Sequence, residues 1–376
     1  MKEFDKELGM LEECGQLRRI PNITKKIDGK LILDGKEYVN FASNDYLGIS
    51  TKRHLINEFI AKHEELPLFS SASARLLTGT SEEFKKLEIT LAAMFNKEAA
   101  LIFNTGYQCN LGVISALIGK GDVVFSDKLN HASIIDGMRL AEGDFIRYKH
   151  FDYDNLEKLL KNKRKNYKKA IIVSESVFSM DGDISNIDRL IELKKKYDCL
   201  LMIDEAHAFC ACGETLAGIS AGKDVDIITA TFGKALGSFG AFCVADRSII
   251  NYLVNKSRSF IFSTSIPPIN IEWTNWLLTE KLDYIKTRKY ILDTVTSDVH
   301  AILNKRGYKT PSASQIIPII IGDNEKTLHI AEKLKSMGYY IPAIRPPTVP
   351  IGTSRLRISL TADSKVDDIA RILDII

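Results

Sequence analysis

Residues 199–207 read CLLMIDEAH, a run of five apolar residues that stops on the acids Asp204 and Glu205. A segment apolar on both faces that ends this abruptly in charge is the pattern of a strand buried inside a helix-covered parallel sheet. The pattern recurs on either side in AALIFN (99–104), DVVFSD (122–127), AIIVSES (170–176), DIITATF (226–232) and AFCVAD (241–246). Longer amphipathic stretches separate these runs. In Ile187 to Tyr197, for example, Ile187, Leu190, Ile191 and Leu193 fall near one helix face. The alternation predicts an α/β fold, a large and mostly parallel sheet domain with helices on both faces.

Outward from this block the pattern changes. The first forty residues read as a helix from Glu3 to Arg19, a break at Pro21 and a hairpin turning at Asp34-Gly35. Beyond Pro267-Pro268 a long helical stretch runs to about Arg306, followed by short strands around Ser314 to Ile321 and Arg355 to Leu360. The expected organisation is an N-terminal helix and hairpin segment (1–45), a large domain (46–268) and a smaller α+β C-terminal domain (269–376) that includes the bridging helix.

The chain has 376 residues, 45% apolar and 26% charged, the balance of a folded globular protein. Its 51 Lys+Arg against 48 Asp+Glu leave a net charge of +3, too little for a protein whose work is neutralising nucleic-acid phosphates. The basic run KNKRKNYKK (161–169) reads as a solvated surface turn. No apolar window is long enough for a membrane span, and MKEFDKELGMLEEC lacks the apolar core of a secretory signal. The six cysteines lie mostly in apolar runs, as buried thiols in a reducing cytoplasm do; Cys210 and Cys212 lack the second pair that a zinc site needs, so no metal is expected.

Ligands of open parallel sheets bind outside the carboxyl ends of the strands. The residues there are Thr105-Gly106-Tyr107, His131, Glu175, Asp204 with His207, and Lys234. Each has an ordinary reading. Gly106 could be a turn device, Asp204 a helix N-cap and Lys234 a solvated surface amine. Yet Lys234 follows an apolar strand and is crowded by Gly233, Gly237 and Gly240. Desolvation there would make its amine a competent Schiff-base nucleophile. A strand-end acid, a lysine thirty residues later and an upstream phosphate loop are together the parts that a pyridoxal 5′-phosphate enzyme needs. The acid would keep the pyridine nitrogen protonated, one imidazole would stack on the ring and the other would sit near its phenolic oxygen.

At these residues the chain resembles the α-oxoamine synthases, fold-type I pyridoxal-phosphate enzymes, over nearly its whole length. The matching segments are FASNDYLGIS (41–50), ARLLTGT (74–80), FNTGYQCNLG (103–112), DKLNHASIIDG (127–137), ESVFSMDGDIS (175–185), IDEAH (203–207), TFGKALGSFGA (231–241), FIFSTSIPP (260–268) and AIRPPTVPIGTSRLRISLTA (343–362). The last segment is most similar to members that condense L-alanine with a pimeloyl thioester, on acyl carrier protein or CoA, losing CO₂ on the way to biotin. Sister activities use glycine or serine with other acyl donors.

The resemblance implies roles residue by residue. Lys234 would bind the cofactor aldehyde, Asp204 the ring nitrogen, and His131 would stack. Gly106, Tyr107 and Thr231 would hold the phosphate, and His207 and Ser179 would address the phenolic oxygen. Asn44 and Arg357 would clamp the amino-acid carboxylate, with Arg355 as the other candidate, and Arg18 and Thr348 would face the acyl substrate. The resemblance also implies a cytoplasmic homodimer with the site at the interface, Ser263 and Thr264 reaching the partner's phosphate.

Two departures bear on the backbone. In AFCACGETLAGIS (208–220) Cys210 stands where the family commonly has glycine, and SSASARLL (70–77) replaces a glycine-containing run. If those positions need a left-handed backbone, the expectation is that the loops take another shape here, because that conformation costs about 1 kcal/mol or more for a residue with a Cβ.

Overall fold

The computed structural model describes residues 2–63, 65 and 67–376. They form two compact units: 1–52 with 180–182 and 291–376, and 53–179 with 183–290. The boundaries of these units lie at 52/53 and 290/291, whereas the sequence reading divides the chain at 45/46 and 268/269, and the first and last segments of the chain share one unit.

The second unit holds a seven-stranded sheet of β1 (Ala99–Phe103), β2 (Val123–Asp127), β3 (Asp144–Tyr148), β4 (Ala170–Glu175), β5 (Leu200–Asp204), β6 (Ile227–Thr231) and β7 (Ala241–Ala245), in the order β1-β7-β6-β5-β4-β2-β3. Strands β3, β2, β4, β5 and β6 pair in parallel, and β7 runs antiparallel to both β1 and β6. Six of these strands match the apolar runs to within a residue or two. The seventh, β3, is DFIRY, exposed along most of its length at the sheet edge. An edge strand with polar faces carries no unbroken apolar run, so its sequence does not announce it. The core gathers Leu101, Val113, Ile134, Val173, Met202 and Cys243 between the sheet and its helices. Each such side chain, fully buried, contributes roughly 1.5–3 kcal/mol for the larger aliphatics.

In the first unit, helix Lys2–Glu13 stops six residues short of Arg19, where Gly15 turns left-handed (φ +61°). The expected hairpin pairs Lys30–Leu33 with Lys36–Asn40. Asp34 (φ +49°) and Gly35 (φ +77°) give it the two left-handed positions of a type I′ turn. Tyr339–Tyr340 then adds in parallel to Lys36–Asn40, which is why the two ends of the chain belong to one unit. A three-stranded sheet places Ser354–Ser359 between Ile316–Gly322 and Ala343–Ile344. The stretch after Pro267 is two helices, Pro268–Thr279 and Leu282–Lys305, the second running from one unit into the other. No helix among the described residues is long and apolar enough to cross a membrane.

The two loops that lack the family's glycines keep the left-handed backbone, with Cys210 at φ +60° and Ala72 at φ +48°. Expecting another loop shape was wrong, because hydrogen bonds over-determine both turns. The Cys210 amide donates to the Leu216 carbonyl at 2.7 Å, and that of Cys212 to Ala208 at 2.8 Å. The Ala72 amide donates to Ser70 Oγ at 3.0 Å, while Ser265 donates to the Ser73 carbonyl at 2.9 Å. Ala72 is exposed, so its strain can be relieved without loss of packing. The Ala72→Gly variant should therefore unfold at a higher midpoint, by up to about 1 kcal/mol, and Ala72→Val should lose about 1 kcal/mol or more. Thermal unfolding of the two variants beside wild type checks the pair.

Candidate active site

Strand ends of the second unit deliver the expected residues. Asp204 closes β5 and is 7% exposed. One carboxylate oxygen accepts the Ala206 amide at 2.8 Å and the other the Asn110 side-chain amide at 2.6 Å. Both partners can only donate, so each carboxylate oxygen has an acceptor's role fixed by a protein donor. Lys234 lies in the loop between β6 and β7, its Nζ 2.7 Å from Nε2 of His207. The loop is closed by Phe232 donating to the Gly240 carbonyl and Ser238 to that of Phe232. Gly240 has a backbone (φ +115°) that L side chains rarely adopt, and a Cβ there would displace the tip of Ile266, 2.7 Å away.

Helix α1 (Gly106–Leu117) follows β1, with Thr105 capping the Gln108 amide at 3.1 Å. The amides of Gly106 and Tyr107 open the first turn, where a helix presents N–H groups to an anion. Gly106 faces Thr231, whose hydroxyl donates to the Gly240 carbonyl at 2.8 Å. His131 caps helix α2 (Ala132–Leu140), and its ring meets that of Tyr107 edge-on at 6.3 Å. Burial, followed by the Lys234 charge, lowers its pKa against the raising influence of Asp204. Its backbone amide donates to Glu175 at 2.5 Å, a buried carboxyl that desolvation and the Asp204 charge push well above the usual range. Ser179 is half-buried past β4; Thr264 bridges to Ala74, and its carbonyl accepts the Asn104 side chain at 2.7 Å, with Ser263 beside it.

The first unit brings together the other predicted residues. Arg357 is 6% exposed and donates to Asn44 Oδ1 at 3.2 Å through both terminal nitrogens and to Ser359 Oγ at 2.6 Å. Arg355, the other clamp candidate, is committed elsewhere: it ion-pairs with Asp181 and donates to the Met180 carbonyl. Arg18 donates to Thr348 Oγ1 at 2.8 Å. Both line an open groove of about 730 Å³ with Leu17, Leu33, Tyr340 and Arg345. Burial and the Arg18 guanidinium lower the pKa of Arg345.

The aminotransferase class I and II family model matches residues 36–376. A Pasteurella multocida protein provisionally named 8-amino-7-oxononanoate synthase is 40% identical over 99% of this chain and 98% of its own length. The 8-amino-7-oxononanoate synthase of Chlorobaculum parvum is 38% identical over 94% and 92%. The chain belongs to the 8-amino-7-oxononanoate synthase family, within aminotransferase class I and II. Serine palmitoyltransferase from S. paucimobilis, solved with a bound PLP–myriocin adduct, superposes with a TM-score of 0.89 at 26% identity, covering 99% of this chain and 95% of that one. The residues present fit such a cofactor. The second unit offers an amine, a fixed carboxylate, an imidazole and a helix N-terminus, one group for each polar feature of pyridoxal phosphate.

Sequence reading passed over two features of the fold. Asn110 lies inside α1 among apolar neighbours, and the partners that explain it, Asp204, Ser133 and Thr229, are all distant in sequence. His150 clamps two buried acids, Nδ1 to Asp127 at 2.9 Å and Nε2 to Asp183 at 2.8 Å. Burial alone would lower the His150 pKa, but the bonds to Asp127 and Asp183 outweigh it and raise it to about 9. A pKa raised above the unfolded value of 6.5 stabilises the fold in full below that pH, and the contribution fades as pH climbs through about 9. At full strength it is worth about 3 kcal/mol. The gap in thermal midpoint between wild type and His150→Gln should thus be large at pH 6 and small at pH 9.5; a gap independent of pH would refute the assignment.

Proposed function

We propose that this protein condenses L-alanine with a pimeloyl thioester, releasing CO₂ and the carrier thiol, to give 8-amino-7-oxononanoate for biotin synthesis. The observation that carries the reading is the Lys234 amine 2.7 Å from His207, in the same unit as a buried carboxyl group, Asp204, held by the Asn110 side chain at 2.6 Å. The full-length relatives of that name support the substrates. Bound pyridoxal 5′-phosphate supplies the electron sink that lets the alanine α-carbon act as a nucleophile.

The chain's own residues then have distinct work. Lys234 binds the cofactor aldehyde, takes the proton from the alanine α-carbon and returns one there after CO₂ has left. Asp204 would hold the ring nitrogen, His131 would cover the ring face, and His207 and Ser179 would address the phenolic oxygen. The amides of Gly106 and Tyr107 and the Thr231 hydroxyl take the phosphate. Arg357 and Asn44 are assigned to the alanine carboxylate, which must be oriented for its α-hydrogen to be reachable. Arg18 and Thr348, which already touch each other, are assigned to the acyl donor, carried by acyl carrier protein or CoA.

The 1–45, 46–268 and 269–376 segments are the functional division that we propose. The proposed setting is a cytoplasmic homodimer with Ser263 and Thr264 reaching the partner's phosphate; for the pairing itself, the support is the bulky apolar side chains left in the open on the second unit, among them Phe69, Leu77 and Phe262. A sister reaction, serine with a long acyl thioester, is the alternative that the serine palmitoyltransferase likeness offers, at 26% identity against 40%.

Purified enzyme given alanine and either pimeloyl-CoA or pimeloyl-acyl carrier protein should yield 8-amino-7-oxononanoate by mass; strong preference for glycine or serine would defeat the reading. The Lys234→Ala variant should lose turnover by about three orders of magnitude or more, along with the visible absorption of lysine-bound cofactor. Arg18→Ala should raise the KM for the thioester about tenfold or more and leave that for alanine nearly unchanged.

A further inference from the structure

Four buried side chains outside the proposed catalytic set connect His131 to Asp204 or support that connection. His131 Nδ1 lies 3.2 Å from the Ser133 backbone amide and 2.8 Å from the Ser133 hydroxyl. The Ser133 hydroxyl is 3.0 Å from the Asn110 side-chain nitrogen, which is 2.6 Å from Asp204. Thr229 Oγ1 sits 2.9 Å from the Asn110 oxygen. Glu175 holds the His131 backbone amide from the other side. Ser133, Asn110 and Thr229 are no more than 2% exposed, so water does not complete these bonds.

Donor accounting fixes every proton in the chain. A carboxylate only accepts, so the Asn110 nitrogen, and not its oxygen, faces Asp204. The second Asn110 N–H then points at Ser133 Oγ, which accepts it. Ser133 therefore has its own hydroxyl hydrogen left for His131 Nδ1. The Ser133 backbone amide, which can only donate, points at that same nitrogen. Nδ1 consequently carries no proton, and the imidazole proton must sit on Nε2. Charging the ring would place an N–H against the Ser133 backbone amide, which can only donate.

We propose that Ser133 and Asn110 are positioning residues which join His131 and Asp204 in one buried hydrogen-bond chain, holding His131 as the neutral Nε2–H tautomer and the Asp204 side chain in one fixed orientation. The inference rests on the reading that both residues meet the cofactor ring. It adds that the imidazole is neutral and donates from its outward edge, and that it shares a scaffold with the group on the ring nitrogen. The charged or titratable groups around His131 are Asp204, Lys234, Glu175 and Tyr107. None of them supplies a donor to Nδ1 in place of Ser133.

The test begins on cofactor-free protein labelled with ¹⁵N-histidine. Wild type should show His131 with an unprotonated Nδ1 and a protonated Nε2 at pH 6 to 9. Ser133→Ala, a change small enough for the core to accept, should give a mixture of tautomers and a His131 that protonates at higher pH. With pyridoxal phosphate bound, Ser133→Ala and Asn110→Ala should lower kcat about tenfold or more while KM for alanine stays within about threefold. Asn110→Ala should in addition shift the pH dependence of the cofactor's visible band. A protonated Nδ1 in wild type, or a Ser133→Ala variant with unchanged ¹⁵N shifts and unchanged kcat, would overturn the proposal. If the tautomer is as stated but added pyridoxal phosphate moves no His131 resonance, the proposal fails through the cofactor reading beneath it, a result distinct from failure of the chain itself.

Discussion

Taking a carboxylate out of water costs several kcal/mol unless donors replace the lost hydration, and much of the second unit's arrangement near the strand ends supplies that replacement at Asp204. The aspartate sits where β5 stops. The next residues turn so that Ala206 donates back to it, and α1 must pack closely enough over the sheet to bring Asn110 within 2.6 Å. Asn110 in turn is held by Thr229 from β6 and touches Ser133 from α2. Three elements besides β5 are thereby fixed around one carboxyl group. The same contacts put His131, at the start of α2, and the amides of Gly106 and Tyr107, at the start of α1, at the carboxyl end of the sheet.

Sheet topology does the rest for the lysine. Had β7 continued the parallel pattern, β6 would have been followed by a helix. Its antiparallel return instead leaves a short loop at the strand end, and Lys234 is carried there. The loop is pinned at Phe232 and Gly240, where a side chain would displace Ile266, so the amine is presented by a rigid base and not by a flexible tip. Rigid presentation matters because a nucleophile displaced by about 1 Å can lose on the order of a hundredfold in rate.

How much of this was legible in the sequence follows from range. Strands buried on both faces must be apolar along their length, so six of the seven could be read directly, while DFIRY at the edge could not. Lys234, Asp204, His207 and His131 stand at the ends of such runs and were visible for that reason. Asn110 and His150 were not, because their partners lie 94, 23 and 33 residues away and nothing local marks the pairing. Cys210 and Ala72 were legible as departures but not in their outcome. A missing glycine suggests a changed loop, whereas the hydrogen bonds around both residues impose the left-handed backbone and leave the strain in place.

The two arginines of strand Ser354–Ser359 show what a structure adds when sequence periodicity is satisfied twice. Arg355 and Arg357 are two residues apart, so alternation puts them on one face, and both are buried. By pattern alone either could clamp a carboxylate. Asp181, from the short 180–182 segment that belongs to the first unit, separates them by pairing with Arg355. A buried guanidinium already neutralised by a carboxylate gains little from a second anion and would leave the first uncompensated if it moved. Arg357 donates to the amide oxygen of Asn44 and the hydroxyl of Ser359, and it is this difference from Arg355 that underlies its proposed assignment to the alanine carboxylate, since a charge-assisted bond is about twice as strong as a neutral one.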